Sequence, residues 1–511
     1  MLRHCQVTAL CVALVIASAG GRTGTQQPDL APDKSPSEIL IQSYLVASDF
    51  TLGERAFYLV RLGESAASIE PVLARLWAEE AFQLTFRLPK SHDRLALQKN
   101  ALVNLVKVDA RRALELFGEL DDPVPVGGVI HEDVRADGAR TVFPVVWKKL
   151  GDTSGQALRE HARHLGDTGQ FPYSAFVPIL RDVAPVDAFL AESIFLDAQG
   201  FYTRGSVVRT NHEEFARFVS QLWGVLPRPL TSQALRLLVQ RLTTAERQAL
   251  GETYLAHVHS EKGAAALDSE ADRLLLGLLP LIRAVDPNWA ERLLDERPAL
   301  RGAVSLAKEG HRIEDVVIRG QGSPSEVESL QRSALERNRL GEIEKLADSD
   351  AAAALALSAS LMDASARAAA YARVAAALHR TDPARASRLL EEATEVAHGV
   401  ADERKKVKVL TAITKAHLAR NDKPSFRASL KRTFALATEL IQQDLDAYPT
   451  KAAIFTRGFP ELSELVRAGA RLDPEHTLPA VQTVREPRIL AHLLIDVAVG
   501  LDEARKPNVS L

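Results

Sequence analysis

The chain has 511 residues, a formal net charge of −3 and only 5% aromatic residues. So balanced a charge favours no class of charged partner for the molecule as a whole. Both cysteines, Cys5 and Cys11, fall within the first twenty residues, so the rest of the chain can form neither a disulfide nor a thiolate metal site.

The opening MLRHCQVTALCVALVIASAGGRTG has a basic Arg3, an apolar run from Val7 to Ala17 and the small-residue pattern Ala17-Ser18-Ala19. This pattern predicts a secretory signal peptide over 1–19, cut before Gly20. The apolar run is shorter than the about 20 residues a spanning helix needs. The expected destination is therefore the periplasm or the extracellular medium, with no transmembrane segment in the mature chain and no nucleic acid as partner. Residues 20–37 are polar, hold Pro28, Pro32 and Pro36, and read as a disordered spacer.

From residue 38 the chain is rich in Ala, Leu and Arg, with few alternating apolar runs, which favours helix nearly everywhere. The expected fold is all-α, an array of helix hairpins. Four stretches repeat one pattern: VDARRALELFGEL (108–120), VDAFLAESIFLDA (186–198), VDPNWAERLLDER (285–297) and TDPARASRLLEEA (381–393). Each has Asp109, Asp187, Asp286 or Asp382 at a helix N-cap, where a carboxylate accepts backbone N–H bonds the first turn cannot satisfy. Four residues on stands Ala113, Ala191, Ala290 or Ala386, small enough for a neighbouring helix to approach. At seven and eight come large apolar pairs on the same face, such as Leu116-Phe117 and Leu389-Leu390. The residue before each Asp (Val108, Val186, Val285, Thr381) is placed to staple against that Ala. Leu102 and Leu105, Leu180 and Val183, Leu279 and Ile282, and Ala375 and Leu378 mark the apolar stripe of a preceding helix. A weaker fifth copy starts at Asp473-Pro474.

The stretch YARVAAALHRTDPARASRLLEEA (371–393) resembles the alpha-solenoid repeat proteins, the tetratricopeptide-like group most closely. The family's Trp-Leu-Gly-Tyr signature is absent from the first helix, and a HEAT-like array is the alternative. The resemblance implies a binding scaffold and assigns no individual residue. Ser35-Pro36-Ser37-Glu38 and Ser323-Pro324-Ser325-Glu326 are identical capping boxes. They divide the expected fold into a first lobe, 38–322, and a second, 323–504.

Two segments interrupt the helical pattern. Residues 121–143 carry Gly, Pro and Val with an Asp137-Gly138 turn signal, and predict a loop or a small hairpin. Residues 198–215 place Phe201 and Tyr202 near two glycines, in a loop that could line a binding face.

Chemical motifs are sparse. The HEDVR at 131 and HEEFA at 212 lack the second histidine of a zinc helix. His161 and His164 lie one helical turn apart without a third ligand, and His257 and His259 diverge on a helix. GDTSG at 151–155 has the wrong spacing for a nucleophile elbow. Glu64-Ser65 resembles the Glu-Ser of lytic transglycosylases without the rest of that motif. No phosphate-cradling glycine loop occurs, and no cofactor or metal is expected. Between Arg404 and Arg432 stand ten basic residues against one acid, Asp422. Arg404, Lys405, Lys406, Lys408, Lys415, Arg427, Lys431 and Arg432, with Phe201 and Tyr202, are the candidate binding residues. The expected function is a non-enzymatic exported scaffold for a protein or peptide. An anionic envelope component is the second partner class that the basic run admits, and an envelope- or carbohydrate-acting enzyme on a helical scaffold is the alternative.

Overall fold

The computed structural model describes residues 34–122, 134–167, 169–205, 212–248, 256–260, 263–306, 339–447 and 460–506. They form a helical array with one small strand pair. In chain order come α1 (Pro36–Val46), α2 (Leu52–Ala66), α3 (Pro71–Thr85), α4 (His92–Val108), α5 (Ala110–Phe117), α6 (Val134–Leu150) and α7 (Gly155–Asp167). Then come α8 (Tyr173–Val183), α9 (Ala188–Arg204), α10 (His212–Leu222) and α11 (Arg228–Gln248). The antiparallel strands β1 (Ala256–Ser260) and β2 (Gly263–Leu267) follow. Next are α12 (Glu270–Val285), α13 (Pro287–Asp295), α14 (Pro298–Leu306), α15 (Ala351–Ala359), α16 (Ala364–Leu378) and α17 (Pro383–Gly399). The last five are α18 (Glu403–Ala419), α19 (Lys423–Ala447), α20 (Pro460–Leu472), α21 (Pro474–Gln482) and α22 (Pro487–Arg505).

Two compact units arise. A central unit takes in Phe50–Val400, and a terminal unit takes in the described parts of Met1–Asp49 and Ala401–Leu511. The expected lobe boundary at 322/323 lies outside the described residues, as does the second capping box. The first capping box is formed: Ser35 and Glu38 bond reciprocally at the start of α1. Glu38 is held below the usual carboxylate range, first by the Ser35 backbone N–H and then by its hydroxyl.

The Asp corner is the organising device. At Asp109, Asp187, Asp286 and Asp382 the backbone N–H donates to the carbonyl four residues back at 2.7–2.9 Å, closing one helix. The same residue's side chain accepts an N–H of the next helix, from Arg112, Leu190, Asn288 and Arg385 respectively, at 2.9–3.0 Å. One extended residue thus ends one helix and starts another. Asp350, which the repeat reading missed, does the same before α15: it bonds Leu346 behind and Ala353 ahead, 32 residues before Asp382. That spacing is close to one helix hairpin. Ala113, Ala191, Ala290 and Ala386 are fully buried, and the apolar pairs beyond them are at most 6% exposed. The upstream stripe is buried as expected. The staple is not general: Val186 is 88% exposed, so at that corner the residue before the Asp packs against nothing.

The central unit also corrects the two interruptions. Residues 134–143 are not a hairpin arm but the first turns of α6, with Gly138 inside the helix; residues 123–133 lie outside the described ones. A Cβ at Gly138 would lie 3.1 Å from Lys99 Cγ. The strand pair lies instead at 256–267 and holds His257 and His259.

In the terminal unit α18 packs along α19, and α20 packs on α22. Helix α1 also packs on α22, joining distant parts of the chain, with Ser43 Oγ donating to the Ala491 carbonyl at 2.9 Å. Helix α22 is buried nearly all round, from Ile489 to Leu501. Among the described residues no helix is long and apolar enough to cross a membrane.

Candidate functional site

The predicted aromatic site is core. Phe201 and Tyr202 lie inside α9, not on a loop, at 9% and 0% exposure. The Tyr202 ring stacks on Phe215 with centroids 3.8 Å apart, and its hydroxyl lies 2.7 Å from His212 Nδ1. Phe201 stacks on Phe171 and closes over Gly166, where a Cβ would run into its ring. Burial of aromatic surface explains both residues, Tyr202 against α10 and Phe201 against Phe171 and α7.

The two helical histidines also separate. His161 packs edge-on against Phe117, centroids 5.4 Å apart, and desolvation pushes its pKa down, aided by nearby Arg135. His164 is exposed on the same helix. Glu64 is exposed and pairs with Lys107 at 3.2 Å. Among the described residues no three metal-binding side chains gather.

The basic run divides over two helices. On α18, Arg404 pairs with Asp444 and Lys415 with Glu464 at 2.6 Å, while Lys405 and Lys408 are exposed and Lys406 is half-buried. Arg432, on α19, is exposed. Arg427 and Lys431 come together at a concave feature, a groove of about 730 Å³ bounded by α19, α21 and the start of α22.

Helix α19 supplies one wall through Arg427, Leu430, Lys431, Phe434, Thr438 and Glu439. These recur three and four residues apart and so share one helix face. The lining runs on to Gln442, about 22 Å along the helix at 1.5 Å per residue. Helix α19 is free to present this face because its main packing partner is α18, and it meets α20 and α21 only in places. The facing wall is Pro479 and Ala480 of α21, Arg485 and Glu486 of the connection that follows, and Ile489 in the first turn of α22. The floor is apolar, with Leu430, Phe434, Val484 and Ile489 each at most 6% exposed.

One end of the groove is built on the fifth Asp corner. Asp473 ends α20 through its N–H to the Gly469 carbonyl at 2.7 Å, yet its side chain does not cap α21. Instead Oδ2 accepts from Arg427 Nε at 3.0 Å, and Oδ1 lies 3.1 Å from His476 Nδ1. The carboxylate is 4% exposed. Burial pushes its pKa up, but the Arg427 bond, then His476, outweigh this and hold it below the usual carboxylate range. The corner takes Thr477 where the other copies have Ala, and the Thr477 hydroxyl bonds the Asp473 carbonyl at 3.0 Å.

Sequence reading therefore found Arg427 and Lys431 but missed His476, Arg485 and the apolar floor. The readable signal was the α19 stripe at 427, 430, 431, 434 and 438, obscured by counting charge alone. A smaller cleft of about 340 Å³ in the central unit has a floor of Leu158, Phe176 and Ile179, and its cations Arg159 and Arg163 both bond Asp197.

No family model matches the chain, and no curated protein matches it either.

Proposed function

We propose that this protein is an exported, non-enzymatic helical-repeat scaffold, tetratricopeptide-like in its hairpins, that binds a protein or peptide partner in the α19–α21 groove. The observation that supports this reading is the groove itself: about 730 Å³, closed at its base by buried apolar side chains and bordered by Arg427, Lys431, Glu439, Arg485 and Glu486. An apolar floor with a few polar groups at its margin is the common construction of a recognition site. One groove wall comes from a single helix, α19, and the other from α21 and the short connection that joins it to α22.

A photo-crosslinking residue placed at Ala435, in the groove, and at Arg388, on α17, tests the reading in the producing cells. An adduct of defined mass at 435 and none at 388 is expected. Equal labelling at both positions, or none at 435, overturns it. Export is checked by N-terminal sequencing, with Gly20 expected as the first residue.

A further inference from the structure

We infer that α9 is the contact face of a two-fold dimer, in which it packs antiparallel against α9 of a second copy of this chain. The surface lies in the central unit and is independent of the groove.

Helix α9 packs its inner side on α7 and α8. On the side turned away from that core stand Phe189, Ser193, Leu196, Gly200 and Thr203, which recur three and four residues apart and share one face. Phe189 is 84% exposed and Leu196 50%, and Val186, just before the helix, is 88% exposed. The other Asp corners hold different residues at the positions of Phe189 and Leu196: Arg111 and Gly118, Asn288 and Asp295, Ala384 and Glu391, all of them exposed. Those corners form without large apolar side chains there, so folding of the corner does not require Phe189 or Leu196. Exposed apolar side chains gathered on one face mark a docking surface.

The order of side chains along the face selects the occupant. Phe189, Ser193, Leu196 and Gly200 alternate large and small, at the spacing of a coiled-coil seam. A two-fold axis between Ile194 and Phe195 sets Phe189 opposite Gly200 of the second copy and Ser193 opposite its Leu196. Symmetry makes each pairing twice. Among the described residues nothing lies within 4 Å of a Cβ built at Gly200, so the space that would take the Phe189 ring is open. A parallel pair would instead set Phe189 on Phe189 and Gly200 on Gly200. The Ser193 hydroxyl already accepts from Arg159 at 3.2 Å, so covering it strands no polar group.

The edges of the face do not oppose this pairing. Glu192, on one edge, falls opposite Gln199 of the second copy. Asp197, on the other, is already matched by Arg159 and Arg163. Arg204, whose guanidinium lies 4.7 Å from the Phe201 ring centre, comes level with Pro185 and Val186 of the second copy. The face runs about 21 Å from Phe189 to Thr203. A single helix pair of that length belongs at the low end of specific interfaces, with a Kd of about 1–100 μM.

The test is sedimentation velocity of the mature chain across concentrations that bracket this Kd. A reversible monomer–dimer equilibrium is expected. Phe189→Glu should weaken it at least about tenfold, and so should Gly200→Phe, which sets ring against ring. Adding Phe189→Ala to Gly200→Phe exchanges the large and small members and should restore the dimer. Phe189 is exposed in the single chain, so Phe189→Glu leaves the fold intact, which thermal unfolding at high dilution checks. If Gly200→Phe does not fold, Phe189→Glu and Leu196→Glu carry the test. A monomer at every concentration, a dimer indifferent to Phe189→Glu, or no rescue in a folded double variant overturns the inference. Capture of a different protein on this face by a monomeric chain overturns it as well. None of these outcomes bears on the groove, whose partner is read at position 435.

Discussion

Asp473 and Arg427, 46 residues apart in sequence, bond at 3.0 Å and tie α21 to α19 at one end of the groove. The other Asp corners cap the next helix with their side chains, whereas here the carboxylate is turned to a guanidinium and an imidazole. The local capping bond is given up here for a buried ion pair between two helices.

The pair fixes an acid limit. The folded pKa of Asp473 lies below its ordinary 3.8, so its contribution is fully present above that value and lost as pH falls through the folded pKa. Melting temperature should fall on acidification below about pH 4. Asp473→Asn should flatten that slope and, by leaving Arg427 half-paired, cost about 1–3 kcal/mol at pH 7. An unchanged slope in the variant would show that Asp473 does not titrate as described.

The ordinary corners behave as caps. Asp382→Ala removes the acceptor for the Arg385 N–H and should cost about 1 kcal/mol, with Asp382→Asn costing much less. Denaturant unfolding of the two variants separates the cap from the charge.

Two glycines should respond in opposite directions. A Cβ at Gly500 would collide with the Arg467 backbone carbonyl across the α20–α22 contact, which cannot yield without separating the helices. Gly500→Ala should destabilise by about 1–3 kcal/mol. Gly200, inside α9, has open space at its Cβ, so Gly200→Ala should stabilise by about 0.5–1 kcal/mol. Calorimetric melting of both variants reads the sign directly.

His161 gives a second, milder pH dependence. Desolvation lowers its folded pKa beneath its ordinary 6.5, so the unfolded chain takes up the proton first. Stability is therefore complete above about pH 6.5 and declines as pH falls toward the folded pKa. His161→Phe should weaken the decline between about pH 6.5 and 5 in a melting series, if the ring fits between Phe117 and Phe143.

The sequence by itself determined the helical class and the corners of the array. Asp at an N-cap, a buried Ala four residues on and an apolar pair beyond are local preferences that act within a single turn and its neighbour, and they can be read residue by residue. Which surfaces remained open was settled only in three dimensions. Phe201 and Tyr202 looked available between two glycines, yet α9 continues through them, and Phe171 with α7 covers one ring while α10 covers the other. The basic run looked like one patch, yet helical rotation sends Arg404 to Asp444 and Lys415 to Glu464 and leaves Arg427 and Lys431 at the groove. Asp473 read as one more helix start, and only the approach of α19 brought Arg427 within reach of its carboxylate. Propensity and capping are short-range and survive in the linear code. Exposure and charge pairing depend on which distant helix comes to lie alongside, and that is a property of the packed molecule.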